Sequence, residues 1–174
     1  MIVSLDLLKT SQIELPVGTI MIASSGVVSI ASQGRQDAVG VPGFRRDTYL
    51  DAYVGEAWAC VVGPRSEEVV VADFDACTIR VVGMLNRLDL ILSDDHYDPG
   101  GMGRVAFHAL PNDDVLIETE IGVAKLSRLR GLVWQRVHDD ATCRVTELHT
   151  DLVWLTGENA RFAYRLSDGR FQAG

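Results

Sequence analysis

The chain has 174 residues, of which 47% are hydrophobic and 23% charged, ordinary values for a single globular domain spanning 1–174 with enough apolar residue for a core of its own. Its 24 acidic and 16 basic side chains leave a formal charge of −8, which argues against nucleic acid or an anionic membrane as a main partner, since both need a basic patch. No apolar run approaches the roughly 20 residues that cross a bilayer, and three cysteines without a C-x-x-C pair (Cys60, Cys77 and Cys143) read as buried thiols in a cytoplasmic, reducing setting.

Residues 1–8 alternate imperfectly, fit a short strand or helix, and lack the basic start and long apolar core of a signal peptide. Pro16 breaks what precedes it. Residues 19–23 and 27–31 then form a hairpin pattern, with Gly26 in its turn and Gly34 in the next. Gly40, Pro42 and Gly43 mark residues 35–44 as a loop. Asp47 is placed to cap a short helix over 48–54, with Tyr49, Leu50, Tyr53 and Val54 on one side and Gly55 as its stop. Strands follow over 57–62, 68–73, 78–82, 88–92 and 104–110, and Pro111, Asn112 and Asp113 form a turn.

The stretch 114–135 and its echo 151–172 organise the rest. Each reads as strand, tight turn, strand, glycine turn, strand, with β-branched and aromatic residues filling the runs. Gly122 and Asn159 are expected at the tight turns with positive φ, and Asp168 with Gly169 is the strongest short hairpin signal. Phe162, Tyr164 and Leu166 share one face of their strand, while Arg161, Ala163 and Arg165 share the other. A further strand lies over 144–148.

Gly122, Leu126, Gly131 and Trp134 in one copy, and Asn159, Leu166, Gly169 and Phe171 in the other, follow a recurrent order of apolar strand, glycine turn, strand ending in leucine, glycine turn and aromatic. That order resembles the blade repeats of quinoprotein-type (PQQ-like) β-propellers, over about a third of the chain. The length would hold about four blades of roughly 40 residues. The resemblance implies a propeller-like arrangement and a non-enzymatic scaffold; it carries over no catalytic residue and no cofactor. The fold class expected is therefore mainly β, built of antiparallel hairpin repeats and propeller-like, with a β-sandwich or irregular barrel as the alternative.

The candidate chemistry lies in two loops. Residues 93–101 bring Asp94, Asp95, His96 and Asp98 together among glycines, and hard cations want several such oxygens at close range. The spacing fits neither an EF-hand nor a zinc pattern, so no metal is assigned. His138, Asp139 and Asp140 repeat the same flavour, and the two loops on one rim would make a ligand-binding or acid–base site. His108 and His149 lie in strands as partly buried, satisfied histidines, and Glu118 and Glu120 read as solvent-facing. Trp58, Trp134 and Trp154 read as core packing between sheets. A nucleophile elbow, a P-loop, a dinucleotide fingerprint and H-E-x-x-H are all missing. The function expected is a non-catalytic intracellular binding module whose partner is another protein; the alternative is a small metal-dependent hydrolase using the same loops.

Overall fold

The computed structural model describes residues 1–6, 10–46, 49–63, 68–83, 105–119, 122–138 and 142–173. The chain divides into two compact units, Met1–Asp89 and Leu90–Gly174. Both are built of antiparallel strands, and no α-helix occurs among the described residues.

The first unit holds β1 (Ile2–Asp6), β2 (Ser11–Leu15), β3 (Gly18–Ile22), β4 (Val27–Ser32), β5 (Arg35–Gly40), β6 (Tyr49–Val54), β7 (Trp58–Val62), β8 (Glu68–Asp73) and β9 (Thr78–Gly83). Strands β2-β3-β4-β5 form sheet I, and β1-β6-β7-β8-β9 form sheet II. In sheet I, Ile20, Ile22, Val28 and Ile30 alternate onto one face and are buried there. They join Leu50, Ala52, Val61 and Val70 of sheet II, and Phe74 of the turn after β8, in one core. Strand β7 and nearly all of β8 are buried at every position, so they read as unbroken apolar runs without alternation.

Turn chemistry sets the register. Ser32 pairs with Arg35, leaving a two-residue loop in which Gln33 and Gly34 both take positive φ (52° and 74°). Gly18 is needed for space: a Cβ there would lie 2.4 Å from the Ala31 carbonyl oxygen and 2.9 Å from the Phe74 ring. Gly18→Ala is therefore expected to cost about 1–3 kcal/mol through forced movement of backbone and ring. An unchanged denaturation midpoint would show that the two sheets are not packed this closely.

Two expectations fail in this unit. Residues 49–54 form strand β6, not a helix. Leu50, Ala52 and Val54 repeat every second residue and are all buried, and β6 finds hydrogen-bonding partners on both sides, β1 and β7. A stripe that also fits helical spacing cannot compete with two ladders. Part of the expected loop over 35–44 is strand as well: β5 closes sheet I, and the loop proper is a short 3-10 turn, Pro42–Arg46.

The second unit holds β10 (Ala106–Leu110), β11 (Asp114–Thr119), β12 (Gly122–Ser127), β13 (Gly131–Val137), β14 (Arg144–Leu148), β15 (Leu152–Thr156), β16 (Arg161–Arg165) and β17 (Phe171–Ala173). Sheet III is β10-β11-β12-β13 and sheet IV is β14-β15-β16-β17, each a meander in sequence order. Leu116, Val123 and Trp134 of sheet III share a core with Val153, Leu155, Phe162, Tyr164 and Leu166.

Among the described residues of this unit, positive φ values fall at Asn112 (63°), Asp113 (61°), Gly131 (75°) and Gly169 (67°), and not at Gly122 or Asn159 as the turn chemistry suggested. Gly122 instead opens β12 opposite Val137, where a Cβ would meet the Arg136 carbonyl oxygen at 2.7 Å. The glycine serves backbone approach rather than backbone sign.

Candidate functional site

Of the residues expected to form a site, Asp94, Asp95, His96, Asp98 and Asp139 lie outside the described residues, as do Asp140 and the strand expected over 88–92. His138 is described. It is buried, with its ring edge-on to Phe162 at 5.9 Å between centroids, so the expectation of an exposed loop does not hold at this residue. No group of three or more His, Cys, Asp or Glu with metal-binding geometry occurs among the described residues.

Several side chains of the second unit tie sheets III and IV together. Glu118, on β11, is 5% exposed rather than solvent-facing. One carboxylate oxygen lies 2.7 Å from His108 Nε2, and the other accepts the backbone N–H of Val145 in sheet IV at 3.0 Å. His108 is thus half-buried and satisfied, as expected, whereas His149 is exposed and bonds the exposed Glu147 at 3.2 Å. Asp114 and Lys125 make a buried pair at 3.0 Å.

Trp134 donates its indole N–H to the Leu166 carbonyl at 3.0 Å. Arg136, two residues on, gives Nε to Gly169 O at 2.7 Å and Nη2 to Asp168 O at 3.3 Å. One strand of sheet III thereby grips the last turn of sheet IV. Arginine repeats this use in the first unit. Arg35 on β5 donates Nη2 to Asp75 O at 2.7 Å and Nη1 to Ala76 O at 3.2 Å, on the turn between β8 and β9.

The ionisable groups inside these cores are poorly disposed to chemistry. Burial pushes the Cys60 thiol far above its ordinary range, so it stays protonated and is no nucleophile. Burial also raises Tyr164, partly opposed by the Arg136 guanidinium and reinforced by Cys143. Trp58 and Trp134 are core residues, as expected. Trp154 is half-buried, and the Arg161 guanidinium lies 5.0 Å above its ring.

Open, concave surface is found on sheet I. A groove of about 540 Å³ runs over its outer face, floored by Ser29, Ala31 and Ala38 and walled by Gln12, Met21 and Gln36. A cleft of about 370 Å³ adjoins it, between the Pro16–Val17 turn and the Gln33–Gly34 turn, and shares Ala31 and Gln36 with the groove. Ser32 Oγ donates to Val17 O at 2.7 Å and ties the two turns together. Sequence reasoning passed over this surface, because amides, alanines and one methionine carry no motif. The signal that was present is the outward half of the alternation in β3 and β4, where Thr19, Ser29 and Ala31 are small beside larger neighbours.

No helix among the described residues is long and apolar enough to cross a membrane. No protein-family model matches the chain, and no curated protein matches it either.

Proposed function

We propose that the chain is a non-catalytic binding module whose meander sheets are propeller-type blades, acting in the reducing cytoplasm. What supports the blade reading is that sheets I, III and IV are four-stranded antiparallel meanders in sequence order, and that in each unit two sheets share a core. Cys60, Cys77 and Cys143, buried and outside any disulfide among the described residues, are at home in a reducing compartment.

The observation that carries the binding reading is how the buried ionisable groups are used. Both oxygens of Glu118 are committed to structure, Asp114 is held by Lys125, and Arg136 is spent on turn carbonyls. The open surface, by contrast, is lined mainly by amides, hydroxyls and apolar groups, and its one carboxylate, Asp37, is held by backbone N–H groups, a lining suited to binding. The test is paired. Full-length protein supplied with Zn²⁺, Mn²⁺, Mg²⁺ or Ca²⁺ should give no turnover of ester, phosphoester or peptide substrates above the metal alone. A ligand library read by thermal shift should yield compounds that raise the melting temperature, since a ligand at 100 times its Kd adds about 2.7 kcal/mol. Metal-dependent turnover that disappears in Asp95→Ala or His138→Ala would sink the proposal in favour of the hydrolase.

A further inference from the structure

The cleft on sheet I has an unusual charge for this protein. The chain carries a formal charge of −8, yet the residues lining the cleft include one cation, Arg35, and no carboxylate. Among the described residues, the hydrogen-bond partners of the Arg35 guanidinium are two backbone carbonyls. Carbonyl dipoles orient a guanidinium without cancelling its charge, and two contacts leave part of its five-donor fork available. The side-chain amides of Gln33 and Gln36 stand beside it in the same lining.

The adjoining groove has a single carboxylate and no cation in its lining. The one carboxylate in its lining, Asp37, is already committed: Oδ1 accepts the N–H of Ala38 at 2.9 Å, and Oδ2 that of Ile79 at 2.8 Å. The floor of Ser29, Ala31 and Ala38 is small, and Met21, 43% exposed, offers an adaptable apolar wall. A held cation at one end and a partly apolar trough leading away from it, its one carboxylate engaged by backbone N–H groups, match a ligand with one carboxylate and an uncharged body.

We propose that this surface binds an organic monocarboxylate, the carboxylate at Arg35 and the uncharged body along the groove over sheet I. The single cation sets the charge of the ligand. A polyanion would meet the field of an acidic protein with one guanidinium to answer it, whereas one carboxylate is matched by one planar fork. The carboxylate comes either from a free organic acid or from the C-terminus of a peptide, and the chemistry at Arg35 is the same for both. The inference rests on the binding-module reading and gives that module its ligand class.

The test uses the full chain and three probes: octanoate, an N-acetylated peptide of neutral residues with a free C-terminus, and the same peptide amidated. Backbone amide signals of Gln33, Gly34, Gln36 and Ala38 should shift with octanoate, with the free-acid peptide, or with both, and the responding probe identifies the source. The amidated peptide should leave them in place. Arg35→Gln should weaken binding by about tenfold or more, the loss of a charge-assisted contact. Arg35 also holds the turn of sheet II, so Met21→Glu supplies an independent arm; it sets a like charge in the groove without touching that clamp, and should weaken binding similarly. Equal binding of the amidated peptide, indifference to both substitutions, or no shift with any probe overturns the carboxylate assignment. A library ligand bound elsewhere would then still leave the module reading standing, whereas metal-dependent turnover would remove that reading itself.

Discussion

Trp134→Ala is expected to lower the stability of the second unit by about 3–5 kcal/mol, the range for truncating a large buried aromatic. The ring is 6% exposed and lies 6.3 Å from Tyr164 between centroids. It also fills the space above Gly169, where even a Cβ would come within 2.7 Å of the indole. Truncation therefore opens a cavity and frees the Leu166 carbonyl that the indole N–H had satisfied. The two parts can be separated. Trp134→Phe keeps most of the packing and removes the donor, and should cost about 1–2 kcal/mol. Gly169→Ala attacks the same contact from the other side; it strains a residue at φ 67° and pushes on the ring. Chemical denaturation of the three variants would decide the matter, and a Trp134→Ala midpoint equal to wild type would mean that this ring does not join sheets III and IV.

Glu118→Ala should be the next most damaging change, at about 2–4 kcal/mol, because it removes two charge-assisted hydrogen bonds and leaves the Val145 N–H without its acceptor. His108→Ala strands a buried carboxylate and should cost a similar amount. The double variant should then be less harmful than the sum of the two, since each single change destroys the same contact. Glu118→Gln keeps the shape and one acceptor for Val145, so a milder loss of about 1–2 kcal/mol is expected. Strict additivity in the cycle would show that the His108–Glu118 contact at 2.7 Å contributes nothing to folding.

The hairpins over 19–32, 115–127 and 152–166 were legible because Ile20/Ile22, Val28/Ile30 and Phe162/Tyr164 alternate cleanly and glycines mark their ends. Residues 49–54 were not, because Tyr49, Leu50, Tyr53 and Val54 fit a helical spacing while Leu50, Ala52 and Val54 fit a pleated one, and the choice was made by distant partners β1 and β7. Strand β5 hid behind polar residues because it is the edge of sheet I and has no fully buried residue, so no apolar alternation marks it. Glu118 carried a signal that was misjudged. An acid that follows Val115, Leu116 and Ile117 within one strand has no route to solvent when both faces of the strand are covered. His138 carried one too, since it follows directly on β13, two residues past Arg136 and four past Trp134, which the pleat of that strand sends the same way. The carbonyl-gripping arginines had no sequence signal, for their acceptors are main chain and belong to no residue type.

Strand β1 pairs along its length with β6, and Asp6 stands opposite Tyr49. Remove everything between those two positions and the remaining ends would lie about 5 Å apart, the separation of opposed residues in an antiparallel ladder. Sheet I is thus a cassette spliced into the loop of a hairpin. Such an arrangement delays zippering of the outer hairpin until the insert has collapsed, since closing a long loop costs entropy that only a compact insert can reduce. A ligand that tightens the insert would consequently speed completion of the host sheet as well, so occupancy on one sheet would be felt in the folding rate of the other.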